Sequence, residues 1–211
     1  MIYVFLAIIL AAVIAGIVIY KKKNTSVETV SFADQDLDPL HIDITQIDQM
    51  ADGSEFEMYL YRLFLALRYE GVYKTVGSGD FGVDLVFTDR EGVRTVIQAK
   101  RYSVENPVGI SAVQEVYSAM RYYKAKKSIV IASSSFTASC ETLAGVNHVK
   151  LLDRSDLIEI IRLFKEGNHE KVKDVIEAEP RMILDSWTEY TNQINPEIKK
   201  DKKAEKIVQN L

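Results

Sequence analysis

Three polar side chains in the middle of the chain lie on two neighbouring stretches that are rich in β-forming residues. Asp84 lies within the run Val83–Val86, and Gln98 and Lys100 close the run that begins at Val93. Gln98 and Lys100 share one face of a strand, because alternate residues of a strand point the same way. If the two runs pair as a hairpin, Asp84 approaches both residues. A carboxylate, an amide oxygen and an ammonium then meet at one end of the hairpin.

This set of groups suits the metal-dependent hydrolysis of phosphodiester bonds. Mg²⁺ prefers oxygen ligands and keeps several waters, so one or two side-chain oxygens suffice, and Mn²⁺ is the alternative cation. A bound cation lowers the pKa of a water and neutralises charge on the phosphate. We therefore predict Asp84, Gln98 and Glu57 as metal ligands, with Glu57 on the preceding helix. Lys100 is predicted to position or deprotonate the water, or to offset negative charge in the transition state.

Each of these residues also has a purely structural interpretation. Asp84 and Lys100 can form a structural ion pair, and Gln98, taken alone, is typical of a half-exposed amide on a strand. Glu57 can close a capping box with Ser54 as the N-cap residue, and that role competes with metal binding.

The pattern of apolar positions predicts the elements that must hold these residues. A helix at Ser54–Leu67 has its apolar side chains at helical spacing. Val72–Val76 is a short strand, and Val83–Thr88 and Val93–Ala99 form a hairpin around a turn at Asp89–Gly92.

A second helix is predicted after Pro107, with Gln114 and Glu115 exposed unless one of them faces the hairpin. Its apolar face comprises Ile110, Val113, Val116, Tyr117 and Met120. The elements after it are a strand at Ser128–Ala132, a helix at Thr137–Ala144, a strand at Val149–Leu152 and a helix that Asp153 or Ser155 caps and that runs through Phe164. The order α-β-β-β-α-β-α-β-α predicts an α/β fold, a mixed β-sheet flanked by helices.

The N-terminus has the features of a membrane anchor. Residues 2–20 contain no charged side chain, and a helix of that length rises about 28 Å, close to the thickness of the hydrocarbon core. The run 21–23 is three lysines, whereas a secretory signal peptide carries its positive charge before the apolar run. The positive-inside rule then predicts a single-pass protein of the cell inner membrane with its bulk in the cytoplasm. A cleaved signal peptide or a buried core helix is the alternative.

Changes in composition along the chain divide it into four parts. We predict a transmembrane helix at residues 1–20, a polar, acidic linker at 21–49, a globular domain at 50–166 and a charged helical tail at 167–211. The role of the tail is left open.

Charge and residue counts exclude several classes of protein. The net charge is −4 and the pI is about 5.5, which excludes a protein that coats nucleic acid by bulk electrostatics. A single cysteine, Cys140, excludes an intramolecular disulfide, and the three histidines fall in no metal-ligand spacing. Arg101, Tyr102 and Lys74 are the predicted DNA contacts, and so few contacts predict weak, salt-sensitive binding.

Several motifs, taken in order, resemble the Mrr-like branch of the PD-(D/E)xK nuclease superfamily. They are Glu55-Phe56-Glu57 on the first helix, Gly79-Asp80-Phe81-Gly82-Val83-Asp84-Leu85, Gln98-Ala99-Lys100-Arg101-Tyr102, the Val108-Gly109 start of the second helix, and Ile129-Val130-Ile131 leading to Ser133-Ser134-Ser135-Phe136. The resemblance covers Gly53 to Phe164, so residues 50–166 are expected to be an Mrr-like nuclease domain.

The resemblance implies a restriction-endonuclease-like fold, a Mg²⁺ cofactor and cleavage of the DNA backbone. It assigns Asp84 as a metal ligand, Gln98 to the usual acidic position and Lys100 as the catalytic lysine, and Glu57 matches the first-helix glutamate. Val83 replaces the proline of the family pattern, and only the carboxylate beside it does chemistry. Gln98 replaces Asp or Glu, which is usual for the Mrr-like branch but leaves metal affinity weaker and more reliant on Glu57.

Our leading hypothesis is a membrane-anchored, metal-dependent DNA endonuclease of the type IV restriction or foreign-DNA defence kind. The alternative is an inactive DNA-binding or scaffold module with a nuclease-like fold, and a third hypothesis is an interaction protein that works through its tail. A homodimer would supply the two sites that two cuts in a duplex need. No small-molecule cofactor is expected.

Overall fold

The structure is a computed structural model that describes residues 37–77 and 81–184. Within these ranges no helix is both long enough and apolar enough to span a membrane. The predicted anchor at residues 1–20 lies outside the described residues, as do the lysines at 21–23, the linker up to residue 36 and the tail from residue 185.

The described residues form six helices and five strands. The helices are α1 (Ile44–Gln49), α2 (Gly53–Ala66), α3 (Ser111–Ala119), α4 (Ala138–Asn147), α5 (Arg154–Lys165) and α6 (His169–Glu177). The strands are β1 (Glu70–Lys74), β2 (Leu85–Thr88), β3 (Arg94–Lys100), β4 (Lys127–Ala132) and β5 (Lys150–Leu152). Their order along the chain is α1-α2-β1-β2-β3-α3-β4-α4-β5-α5-α6.

The five strands make one mixed sheet in the order β1-β2-β3-β4-β5. β1, β2 and β3 are antiparallel neighbours, and β3, β4 and β5 are parallel. The predicted hairpin is confirmed, since Leu85 pairs with Ile97 and Thr88 with Arg94 across the turn. The predicted α/β fold with a mixed sheet flanked by helices is therefore confirmed.

The two faces of the sheet bury separate apolar clusters, because alternate strand residues point to opposite faces. One face packs against α1, α2, α5 and α6 through Phe56, Leu60, Phe87, Ile97 and Ile160, among others. The other face packs against α3 and α4 through smaller side chains: Val86, Val96, Val113, Val130, Cys140 and Ala144. Cys140 is free and buried, as expected of a small apolar side chain.

Two helices extend the core beyond the elements that the apolar pattern predicts. In α1, which lies in the predicted linker, Ile47 is fully buried. In α6, which lies in the predicted tail, Val172 and Ile176 are fully buried in the same cluster as Phe87. Arg90, in the turn between β2 and β3, also binds three carboxylates of α6, on Glu170, Asp174 and Glu177.

The structure corrects two local predictions about the helices. Ser54 is not the N-cap of α2, because the Asp52 side chain accepts hydrogen bonds from the backbone N–H groups of Ser54 and Glu55. The apolar face of α3 is also shifted. Tyr117 is 47% exposed, whereas Ala112 and Ala119 are buried.

Candidate active site

The Asp84 side chain is held just before β2, where that strand separates from β3. Its backbone N–H donates to the carbonyl of Ile97 (2.8 Å). Its Oδ2 accepts from the backbone N–H of Ala99 (2.6 Å) and from Gln98 Nε2 (2.6 Å). The residue is 6% exposed, and hydrogen bonds to an ionised acceptor are among the stronger ones in proteins. Asp84 and Gln98 therefore meet, as predicted from the hairpin.

The side-chain oxygen of Gln98 is a buried acceptor that receives no hydrogen bond from the described residues. It is 5% exposed, and its Nε2 is used by Asp84, while Oε1 has no hydrogen-bond partner among the described residues. An unsatisfied buried acceptor costs about 1–3 kcal/mol. A donor or a cation beside Oε1 would remove that cost.

Lys100 and Gln98 extend from the face of β3 that α3 covers, because they alternate with Ile97 and Ala99 of the opposite face. Lys100 Nζ lies 2.8 Å from Oε2 of Glu115 on α3, and the two side chains are 20% and 42% exposed. The structural interpretation of Lys100 was an ion pair with Asp84. The carboxylate that pairs with Lys100 is instead that of Glu115.

Gly82 lies against the two side chains Glu115 and Gln98 on this face of the sheet. A methyl group added there would lie 2.5 Å from Glu115 Cβ and 3.2 Å from Gln98 Oε1. Gly82 also has φ +77°, a conformation that glycine adopts far more readily than other residues. Asp84, Gln98, Lys100 and Glu115 thus form one cluster, which we call the candidate site.

Glu115 is a site residue that the sequence interpretation did not select: Gln114 and Glu115 were expected to be exposed unless one of them faced the hairpin, and Glu115 is the one that reaches Lys100. Ala112 and Ala119 lie on the same side of α3, one turn before Glu115 and one turn after it, and both are buried. Small side chains flanking an acidic residue allow the helix to approach the sheet closely and bring the carboxylate to the strand. That spacing was the available signal.

Glu57 and Lys74 form an ion pair with each other. Lys74 Nζ lies 2.7 Å from Glu57 Oε2, and each side chain is 23% exposed. α2 packs on the face of the sheet opposite α3, so Glu57 approaches the hairpin from the other side. The ion pair provides an additional structural role for both residues, and the metal role of Glu57 and the DNA role of Lys74 stay predictions.

Arg101 and Tyr102 leave the end of β3 beside an open groove lined also by Ser103, Asn106 and Pro107. Tyr102 is 41% exposed. Its backbone N–H and carbonyl are both bound by the Ser133 hydroxyl, at 2.9 and 2.8 Å. The chain that follows Lys100 is therefore anchored while the Tyr102 side chain stays partly exposed. The DNA role of both residues stays a prediction.

The donor set fits a hard divalent cation. Within the described ranges no group of three or more His, Cys, Asp or Glu side chains could hold a metal ion. The candidate site instead combines two carboxylates, on Asp84 and Glu115, with the unpartnered amide oxygen of Gln98. Mg²⁺ needs few protein ligands because it keeps several waters. Asp84, Gln98 and Glu115 are the residues that would hold it.

Comparisons with known proteins identify the family of the chain. The model of the Mrr_cat family, described as "Restriction endonuclease", matches residues 47–161. The type IV methyl-directed restriction enzyme EcoKMrr of Escherichia coli (strain K12) is 32% identical over 115 residues. That match covers 51% of this chain and 37% of EcoKMrr, so the chain spans little more than a third of that relative.

Two solved structures are also similar in part. The DNA modification-dependent restriction endonuclease AspBHI gives a TM-score of 0.44 at 20% identity, covering 69% of this chain and 40% of AspBHI. The MspJI restriction endonuclease in complex with a 27-mer oligonucleotide gives a TM-score of 0.45 at 16% identity, covering 67% and 36% of the two chains.

Proposed function

The chain belongs to the Mrr_cat restriction endonuclease family, and on that premise we propose that it is a metal-dependent DNA endonuclease. One observation supports the proposal above the others. A buried aspartate, Asp84, is hydrogen-bonded to the amide of Gln98, whose oxygen has no partner among the described residues, and Lys100, two positions further along β3, is held by a second carboxylate. That combination provides oxygen ligands and a positive charge in one place.

The carboxylates and the lysine have separate tasks in this account. Bound Mg²⁺, or Mn²⁺ in its place, supplies a water of lowered pKa and neutralises phosphate charge. Asp84 is held rigidly by two hydrogen bonds to Oδ2, so its orientation needs no rearrangement when a ligand arrives. Gln98 offers Oε1 to the same place, and Glu115 offers the second negative charge that an aspartate or glutamate at position 98 would have provided.

Lys100 acts on the scissile phosphate. Its side chain is one-fifth exposed beside Glu115, so the ammonium can reach a bound phosphate without leaving the site. A positive charge fixed there offsets negative charge as it develops on the phosphate oxygens. Glu115 acts as a positioning residue for Lys100 as well, because the ion pair sets the direction of the lysine side chain.

We propose modified DNA as the substrate class, because the relative EcoKMrr is named a methyl-directed type IV enzyme. The activity is then type IV restriction, a defence against foreign DNA. Arg101, Tyr102 and Lys74 are the proposed contacts to the DNA backbone. Two cuts in a duplex need two sites, and a homodimer would provide them.

The proposed location is the inner membrane, with the nuclease domain in the cytoplasm. Its support is the uncharged run at residues 2–20 followed by three lysines. An anchored nuclease would meet DNA as it enters the cell.

A second candidate function is an inactive DNA-binding or scaffold module. The observation in its favour is that Gln98 stands where the family pattern has an acid, while Lys100 is occupied by Glu115. This alternative predicts DNA binding with no cleavage in either Mg²⁺ or Mn²⁺.

The test is nicking of supercoiled plasmid by the full chain in Mg²⁺, in Mn²⁺ and in EDTA, on methylated and unmethylated DNA. We expect nicking in both cations and none in EDTA, with methylated plasmid cut faster. Binding of DNA without nicking in any cation would contradict the nuclease and favour the scaffold. Equal rates on the two plasmids would contradict the substrate class but not the nuclease.

A further inference from the structure

Two large aromatic side chains stand exposed next to the candidate site. Phe81 is 58% exposed and Tyr122, which follows α3, is 66% exposed. Their ring centroids are 4.8 Å apart with an interplanar angle of 51°. Tyr122 also meets the ring of Tyr123 edge-on at 5.0 Å. The pair therefore forms a small apolar surface that the described fold leaves open to solvent.

The pair lies close to the place where the phosphate would be cut. Phe81 immediately precedes Gly82, and a methyl group at Gly82 would be 3.2 Å from Gln98 Oε1. Adjacent Cα atoms are about 3.8 Å apart, so the Phe81 ring lies within roughly 12 Å of that oxygen. Tyr122 is reached from the same side, seven residues after Glu115 on the chain that leaves α3.

Phe81 has an unfavourable backbone conformation, and burial of its side chain does not compensate for it. Its φ is +54°, in the left-handed region that residues with a side chain rarely adopt. Burial of the ring would offset the cost of this conformation, but more than half of the side chain is exposed. Strained residues of this kind concentrate at ligand-binding sites.

The charges around the pair complement a nucleic acid. Arg121 and Lys124 flank Tyr122 and Tyr123 in sequence and are exposed. Among the residues that the structure describes, neither forms an ion pair with a carboxylate, in contrast to Lys74 and Lys100. Two cations beside an exposed aromatic pair suit a phosphate backbone whose base stacks on the rings.

We propose that Phe81 and Tyr122 form a stacking site for a base displaced from the duplex, about one to three nucleotides from the phosphate that is cut. The inference rests on the DNA substrate of the proposed function and narrows it to DNA in which a base near the cut is unpaired or unstacked. Stacking on an aromatic ring is worth about 1–3 kcal/mol per base and tolerates any base.

The test is binding of the full chain, in EDTA, to two short duplexes that differ in one feature. One carries 2-aminopurine as an unpaired bulged base, and the other carries it paired with thymine. We expect the bulged duplex to bind about tenfold more tightly, with the 2-aminopurine fluorescence quenched by stacking. Because EDTA removes divalent cations, the DNA is not cut during the binding measurement. The binding result therefore holds whether or not the chain is a nuclease.

Variants assign the effect to the rings. Phe81→Gly and Tyr122→Ala should each lose about tenfold in affinity for the bulged duplex, whereas Tyr122→Phe keeps the ring and the affinity. Tyr117→Ala is the matched control, since that tyrosine is also exposed on the surface of α3. Because glycine tolerates positive φ, Phe81→Gly should fold with a Tm at or above that of the wild type.

Equal affinity for the two duplexes, or a loss in Tyr122→Ala no larger than in Tyr117→Ala, would overturn the stacking site. A bulge preference in a chain that nicks no plasmid would support the stacking site and contradict the proposed nuclease. Nicking without a bulge preference would support the proposed nuclease and contradict the stacking site.

Discussion

Individual residues carry the chemistry of this molecule, and a glycine controls how closely they approach. Gly82 has φ +77° and lies against Glu115 and Gln98. Gly92 has the same φ of +77°, but nothing lies within 4 Å of a methyl group added there. Comparing a substitution at Gly82 with the same substitution at Gly92 therefore separates the effect of backbone strain from that of steric contact with the site.

Gly82→Ala and Gly92→Ala should each lose about 1 kcal/mol of unfolding free energy from the positive φ. Gly82→Ala should in addition lower the nicking rate at least about tenfold, because the methyl group displaces Glu115 from Lys100. Urea unfolding and plasmid nicking of the two variants measure both effects. Equal activity in the two variants would show that Glu115 need not lie where it does.

Lys150 makes stability depend on pH. Its Nζ donates to the backbone carbonyls of Val175 (2.7 Å) and Ala178 (2.5 Å), and the residue is 9% exposed. Burial lowers its pKa from 10.5 to about 8. Between these two values the unfolded chain binds more protons than the folded one, so the unfolding free energy contributed by Lys150 rises with pH.

We expect the stability of the wild type relative to Lys150→Met to increase from pH 7.5 to pH 9.5. Each unit by which the pKa is lowered corresponds to about 1.4 kcal/mol between the two protonation states. Urea unfolding of both proteins at the two pH values gives the difference directly. A difference that stays constant would mean that Lys150 keeps its ordinary pKa in the folded protein.

Residues of the site could be predicted only where the sequence places them on one local feature. Asp84, Gln98 and Lys100 belong to one hairpin, so alternation and a turn suffice to bring them together. The pairing of Lys100 with Glu115 also depends on how α3 crosses the sheet, which alternation within the hairpin does not determine. The choice of Lys74 as the partner of Glu57 is non-local in the same way.

Elements were predictable because each periodicity lies within its own segment. The strands and helices between Gly53 and Lys165 occur in the predicted order, with ends shifted by a few residues. What the apolar pattern could not decide is whether a charged amphipathic helix packs on the core. α6 does so through Val172 and Ile176, although its composition is typical of a solvated tail.

Ile176→Ala should lower the unfolding free energy by about 2–4 kcal/mol, because it opens a cavity where the side chain is fully buried. Ile158→Ala on α5 is the matched control, since that side chain is 43% exposed, and it should change stability by about 0.5 kcal/mol. Equal small effects would mean that α6 contributes no core packing. The expected result would extend the folded domain beyond residue 166, the predicted boundary.

At the scale of the whole molecule, the net charge and the proposed anchor would act together. A net charge of −4 limits non-specific attraction to DNA, so binding must rely on contacts around the site. Anchoring the chain at a membrane that DNA crosses would raise the local concentration of substrate. Weak binding in free solution is then compatible with restriction in the cell.

The proposed anchor is tested by cell fractionation of the full chain. The wild type should remain with the membranes in high salt and dissolve in detergent. Ile9→Arg places a charge in the middle of the apolar run at a cost of about 2.5–3.5 kcal/mol and should shift protein to the soluble fraction. Ser31→Arg, outside the run, is the control. A wild type that salt releases would contradict a spanning helix.

The central claim is that the cluster around Asp84 cuts DNA, and a matched pair of lysines tests it most directly. Lys100 and Lys127 are both strand residues that form an ion pair with a carboxylate. They lie at opposite ends of the β3–β4 pair: Lys100 is in register with Ala132, and Lys127 is in register with Thr95. The measurement is plasmid nicking in Mg²⁺ by the wild type, Lys100→Ala and Lys127→Ala, with the fold of each checked by circular dichroism. We predict that Lys100→Ala loses at least about a hundredfold in rate while Lys127→Ala stays within a fewfold of the wild type. A folded Lys100→Ala that nicks as fast as Lys127→Ala would contradict the account.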